Sequence, residues 1–367
     1  MRPHDTDMTA SNATGAADEL VVRERLWGAL ADRDEYAAAA TVFAAMDAGM
    51  TPEDVLLQVI APVQHKVGTE WAANRISVAQ EHAATAINDR VIAALAHHPS
   101  GKVRGRGGRV TLACVDGEWH ALPARLLAEV LRLRGWQVDF LGAQVPTPHL
   151  IAHLHQHGPD VVALSCSIPT RLPNAHAAIV ACQSAGFPVL AGGAAFGHDG
   201  RFARRLGADA WAPDARTAHE RLTRGFPAVR RVPNRQPVDD LPHLVDQEFT
   251  MVSRSAAQLV KTTVADLEDR FPAMRAYSTQ QHQRTVEDIA HIVDFLTVSL
   301  YTDDDALFTD FITWTADILT ARGVPAASLR PALDLLAVQL KEFPRSLRLL
   351  GAANDALTTV AGAGASA

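Results

Sequence analysis

Cysteine is nearly absent from this chain: Cys114, Cys166 and Cys182 are the three in 367 residues. An odd set with no metal-ligand spacing argues against a disulfide framework and a cysteine-built zinc site, and it fits a reduced, cytoplasmic setting. Long apolar runs are also missing. None reaches the roughly 18–20 residues needed to span a bilayer, so no transmembrane helix and no membrane partner are expected. The opening stretch MRPHDTDMTASNATGAADE lacks the hydrophobic core of a signal peptide and reads as a disordered tail, residues 1–19. Basic excess is lacking too. The net charge is -7, with no basic stripe and no reading head, which argues against direct nucleic-acid binding. What remains is ordinary globular material, 48% hydrophobic and 20% charged, enough for two or three cores.

The pattern along the chain changes twice. Residues 20–99 read as an all-helical bundle, with Thr51 as an N-cap before Pro52 and Ser77 as a cap before a second helix. SGKVRGRGGR then forms a Gly- and basic-rich linker. Residues 109–228 alternate strand and helix five times, which predicts a doubly wound, five-stranded parallel α/β domain with its site on the loops at the strand ends. Residues 229–243 are Pro-rich and polar and read as a linker. Residues 244–350 are helical again, with Val286, Ile289, Val293, Leu296 and Leu300 on one face. Residues 351–367, ending AGAGASA, read as a second disordered tail.

Chemistry-bearing residues gather at the predicted strand ends. CVDGEWHALP places Trp119 and His120 on the first βα loop, with the Glu118 carboxylate two residues before the imidazole. A histidine that ligates a metal through one ring nitrogen usually donates the other N–H to a carboxylate or carbonyl. Ser165 and Ser167 follow the third strand. Gly192 and Gly193 follow the fourth, where missing side chains let a buried cofactor tail approach the backbone. This set resembles the cobalamin-binding domain, whose first loop carries Asp-x-His-x-x-Gly. Here Glu118 stands for the Asp and Pro123 for the Gly. The resemblance, over about residues 109–225, implies that His120 ligates cobalt from below and that the nucleotide tail lies along the serines and glycines.

In the helical region, EWAANRISVAQEH sets Trp71 nine residues before Glu81-His82. Taken alone, Trp71 reads as a core residue and His82 as a surface one. With a cobalamin domain downstream, Trp-x9-Glu-His is similar to the upper-face signature of cobalamin photoreceptors of the light-regulated carotenoid repressor type. The match implies adenosylcobalamin under a helical cap. Trp71 would pack over the upper axial group, Glu81 would contact the adenosyl, and His82 would take the cobalt after light breaks the Co–C bond.

The stretches RFPAMRAYSTQQHQRTVEDIAHIVDFL and ALFTDFITWTADILTARGVP of the last domain resemble the globin-like domains of photocobilins, which implies an all-α globin-like fold and biliverdin as a further chromophore. Arg275, Tyr277, His282, His291 and Trp314 are its candidate cofactor contacts. All three cysteines lie upstream, so a bilin in this domain would be non-covalent. Haem on His291 or His282 is the rival. His149, His153 and His157 recur at helical spacing and read as a solvated helix face. The whole is expected to be a non-enzymatic light sensor, homo-oligomeric, acting through changed assembly or an unidentified protein partner. A corrinoid protein shuttling methyl groups to a methyltransferase, or a haem-based sensor, are the alternatives.

Overall fold

The structure is a computed structural model that describes residues 6–98, 107–226 and 240–364. It divides into two compact units that do not follow the predicted boundaries. One holds the N-terminal helices and the β-sheet. The other joins residues 166–184 and 194–208 to the C-terminal helices.

In the first unit, α1 (Thr6–Ala31) and α2 (Glu35–Asp47) are followed by a long composite helix. That helix starts as α3 (Pro52–Asp54), widens to a π-helical stretch (Val55–Ile60) and continues as α4 (Ala61–Ala72). Thr51 caps it, its hydroxyl accepting from the Asp54 N–H at 3.1 Å. The wide turn has a covalent cause. Pro62 has no N–H to give the Gln58 carbonyl four residues back. Arg23 donates to that carbonyl instead, and the Ala61 N–H reaches back to Leu56. Next, α5 (Val78–Leu95) opens with a reciprocal capping box between Ser77 and Gln80. The first predicted tail is corrected in part. Helix α1 already begins at Thr6; residues 1–5 lie outside the described residues.

The strands β1 (Arg109–Cys114), β2 (Gln137–Gly142), β3 (Val161–Ser165), β4 (Val189–Gly192) and β5 (Ala210–Ala212) form one parallel sheet in the order β2-β1-β3-β4-β5. This is the doubly wound order, and its reversal lies between β1 and β3, where such folds open a ligand crevice. Strands β1 and β3 are almost wholly buried, as central strands of an apolar run must be. Between them run α6 (Leu122–Leu133) and α7 (Thr147–His157); Gly158, at φ 57°, ends the latter in the left-handed region. The strand β5 leads into α10 (Ala215–Arg224). Bundle and sheet domain share a core: Leu122, Leu126, Val130 and Ala215 pack with Leu26, Val59, Ile60, Val91 and Ile92. A cation clamp reinforces the joint. Arg134 grips Glu53 through two bonds of 2.7 and 2.8 Å, and Arg216 reaches Glu53 at 3.2 Å and Asp54 at 3.1 Å.

The second unit contains α8 (Leu172–Ala185, through Ser184), α9 (Arg201–Arg205) and the C-terminal helices. These are α11 (Glu248–Arg270), α12 (Thr279–Thr302), α13 (Asp305–Ala321), α14 (Arg330–Gln339) and α15 (Pro344–Gly364). The predicted stripe on α12 is the one that packs: Ile289, Val293, Leu296 and Leu300 are buried with Phe308, Ile312 and Leu336. The second predicted tail is corrected: α15 runs to Gly364, and Ala353 and Leu357 enter the core. Buried Glu248 accepts the Arg345 and Ser346 N–H groups at 2.9 Å each, satisfying the orphan donors where that helix starts. His176 of α8 is fully buried, 2.8 Å from the Tyr301 hydroxyl and 3.0 Å from Asp240. That contact explains why α8 groups with the C-terminal helices. The predicted linker 229–243 lies mostly outside the described residues, but Leu241 is buried.

Candidate cobalamin site

The carboxyl edge of the sheet lines up the first set of candidates. Cys114 of β1 stands level with Ser165 of β3, and Ser165 level with Gly192 of β4. Beyond Cys114 the chain turns into the histidine loop. Its geometry is pinned from several sides: Val115 N–H donates to the Ser165 carbonyl at 3.1 Å, and Gln144 N–H to the Glu118 carbonyl at 3.0 Å. The Cys114 thiol lies under the loop, 3.9 Å from the His120 carbonyl, and also bonds the Ser165 side chain. Burial pushes that thiol up to about 12. Pro123 sits in the first turn of α6, where its missing N–H costs nothing.

Glu118 is wholly buried, and one oxygen takes two bonds from His120: Nδ1 at 2.6 Å and the backbone N–H at 2.8 Å. The longer side chain of Glu relative to Asp is therefore fully used. An ionised carboxylate only accepts, so His120 carries its proton on Nδ1 and leaves Nε2 for a metal. The Glu118 bond raises the His120 pKa against the opposing effect of burial, and the Glu81 charge adds to it. Glu81 lies on α5 of the bundle, so the bundle's acid and the loop's imidazole are within electrostatic reach of each other.

On the bundle, Trp71 is half-buried near the end of α4, and Glu81 and His82 occupy the first turn of α5. His82 is 74% exposed and holds Glu81 Oε2 through Nδ1 at 2.6 Å, the same distance as the lower pair. His120 Nδ1 is hydrogen-bonded to its carboxylate, whereas His82 Nδ1 makes an ion-pair contact with Glu81. Trp119, beside His120, is 71% exposed. Gly193 holds φ +102°, a conformation that favours glycine at the end of β4. Ser167, two residues past β3, is half-buried and belongs to the second unit.

The candidates on the C-terminal helices stand at the surface. Arg275 pairs with Asp269 at 3.2 Å and His282 with Glu268 at 2.8 Å. Tyr277 and Trp314 are 44% and 47% exposed, and His291 lies on the outer side of α12. Trp314 leans on Phe311, which stacks flat on Phe295 at 3.7 Å. Of the histidine row on α7, His153 and His157 stack at 4.0 Å, and no metal-binding cluster occurs among the described residues. Sequence reasoning passed over Gln64, Thr85 and Asn88, which support Glu81 from inside the bundle.

A parallel sheet of this order places an imidazole of uncommitted Nε2 beside its reversal point and small residues along its carboxyl edge, a set that suits a metal-bearing ligand with a buried tail. Residues 108–222 match the family model of the B12 binding domain, and residues 22–96 match a second B12 binding domain model. The chain thus carries B12-binding domains, and the cofactor they support is a cobalamin. Over 187 residues it is 35% identical to the HTH-type transcriptional repressor CarA of Myxococcus xanthus, covering 47% of this chain and 58% of that one. Over 154 residues it is 33% identical to the repressor CarH of the same organism, covering 40% and 50%. The trimethylamine corrinoid protein of Methanosarcina barkeri is 24% identical over 207 residues, covering 55% and 94%. The chain spans about half the length of the repressors it matches. Neither family model extends into the C-terminal helices.

Proposed function

We propose that this protein is a light sensor that binds adenosylcobalamin between the His120 loop and the helical bundle. The observation that carries the reading is the His120 imidazole hydrogen-bonded to buried Glu118 at 2.6 Å, with a second imidazole, His82, in ion-pair contact with Glu81 in the same compact unit. Bound adenosylcobalamin supplies a weak, photolabile cobalt–carbon bond. His120 holds the metal through Nε2, while Glu118 fixes the ring's tautomer and orientation. Trp71 would pack against the bound cofactor from the bundle. His82 is exposed and would be the second residue able to hold the metal. Output runs through subunit assembly or a partner protein, without catalysis by this chain. Similarity to the Myxococcus repressors supports the sensor reading.

Biliverdin enters as a second, non-covalent ligand of the C-terminal helices. Trp314, half exposed against the Phe311 ring, offers the flat aromatic surface that a bilin stacks on. A methyl-carrying corrinoid role is the second reading, favoured by the likeness to the trimethylamine corrinoid protein. Illumination of purified protein loaded with adenosylcobalamin separates the two. The sensor reading expects a spectral change whose final form depends on His82. No change, or the same change in His82→Ala, overturns it. Transfer of methyl groups by added partners, with Trp71 dispensable, would establish the second reading. A spectrum taken with biliverdin supplied tests the bilin.

A further inference from the structure

Glu81 is supported by a row of polar side chains running into the bundle. Thr85 Oγ1 donates to Glu81 Oε1 at 2.9 Å, Gln64 Nε2 donates to Thr85 Oγ1 at 2.8 Å, and Asn88 Nδ2 donates to Gln64 Oε1 at 2.8 Å. Glu81, Thr85 and Asn88 are spaced four and seven residues along α5, on one face. Gln64 comes from α4, seven residues before Trp71 and so two turns down the same face. Asn88 is fully buried. A row of amides and hydroxyls between two helices could point either way in principle. The charged end removes the choice: an ionised carboxylate cannot donate, so the Thr85 proton must point at Glu81, Gln64 must turn its NH2 to Thr85, and Asn88 its NH2 to Gln64. The far end of the chain is His82, whose Nδ1 meets the other carboxylate oxygen at 2.6 Å.

We propose that Thr85, Gln64 and Asn88 are positioning residues, forming a one-way hydrogen-bond chain that holds the Glu81 carboxylate and thereby keeps the His82 proton on Nδ1, with Nε2 bare. The use of that bare nitrogen rests on the cobalamin reading above; the chain itself does not. One oxygen of Glu81 accepts from the bundle interior, and the other lies in ion-pair contact with the imidazole. A displacement of α4, the helix that ends in Trp71, would pull Gln64 away from Thr85 and loosen the carboxylate that orients His82. The upper ligand's bulk and the readiness of the replacement ligand are linked through four side chains.

The test uses the full chain without cobalamin, with isotope-labelled histidine and long-range proton–nitrogen NMR at mildly alkaline pH. His82→Gln assigns the signal. Wild type is expected to hold His82 in the Nδ1–H form. Thr85→Val is expected to move it toward the Nε2–H form, and Thr85→Ser to restore it. Gln64→Met breaks the chain from the other helix and keeps the test alive should Thr85→Val fail to fold by circular dichroism. A His82 tautomer unchanged in the folded breaking variants, or Nε2–H in wild type, overturns the proposal. In protein loaded with adenosylcobalamin and illuminated, formation of the His82-dependent spectrum is expected to slow about tenfold in Thr85→Val, the scale of a lost outer partner of a metal ligand. A shifted tautomer with no corrinoid spectrum in any of the proteins upholds the chain and overturns the cobalamin reading instead.

Discussion

The joint between bundle and sheet domain rests on one carboxylate, and Glu53→Gln tests how much. The substitution keeps the shape of the side chain and removes its charge. Glu53 receives two bonds from Arg134 and one from Arg216, with the Glu53, Arg134 and Arg216 side chains 20%, 27% and 45% exposed. Fully exposed ion pairs contribute about 0.2–1 kcal/mol. Hydrogen bonds to buried charges contribute about 1.5–3 kcal/mol. The bidentate, mostly buried Arg134 contact falls between these limits at about 1.5 kcal/mol, and the more solvated Arg216 contact adds about 0.5 kcal/mol. Glu53→Gln should therefore cost about 2 kcal/mol, and a double-mutant cycle with Arg134→Met should assign most of it to that pair. The sign with pH follows from the depressed Glu53 pKa, caused first by the Arg134 hydrogen bond. A depressed carboxylate stabilises the folded state above its unfolded value, about 4.3, and loses that contribution as pH falls through the lower folded value. Urea unfolding followed by circular dichroism and by tryptophan fluorescence measures it. A coupling below about 0.3 kcal/mol, the usual scatter of independent sites, or a difference between the two proteins that persists unchanged in strong acid, refutes the reasoning.

Glu118→Gln should lower corrinoid affinity about 10–100-fold by equilibrium dialysis, because the neutral amide no longer fixes the His120 tautomer; unchanged affinity would place the ligand elsewhere. Leu357→Ala should cost about 2–4 kcal/mol in thermal unfolding, since the residue is buried among the C-terminal helices; a cost near zero would return the stretch after residue 350 to a loose tail. Cys114 and Cys182, both pushed up to about 12 by burial, should resist thiol reagents at mildly alkaline pH until the protein unfolds. Rapid labelling of either in the native protein contradicts the burial that sets those values.

Much of the fold could be read from the chain because it is written in local terms. Strand and helix alternate five times between Arg109 and Gly225, and Thr51 and Ser77 sit where caps belong. The histidine loop was legible for the same reason: Glu118 and His120 are neighbours in sequence as well as in space. What escaped depends on partners far apart. The π-helical turn needs Arg23, 35 positions before the carbonyl it serves. Gln64 and Thr85 meet across two helices, although the spacing of Glu81, Thr85 and Asn88 was a signal that one polar face continues inward. Within the second unit His176 finds Tyr301, a contact no window along the chain contains. The last helix is masked by the glycines of AGAGASA, which disfavour helix, although Leu350, Ala353 and Leu357 repeat at helical spacing just before them.

The wide turn at Val55–Ile60 acts as an angular setting for everything beyond it on that helix. Each α-helical residue advances the azimuth by about 100° and the axis by about 1.5 Å. Deleting one residue there would tighten the turn to an ordinary pitch at little cost to the helix itself. It would also swing Gln64 and Trp71 together by about a quarter turn, taking Gln64 away from Thr85. A proline and an arginine nearly forty positions apart thus aim a tryptophan that neither of them is shown to touch.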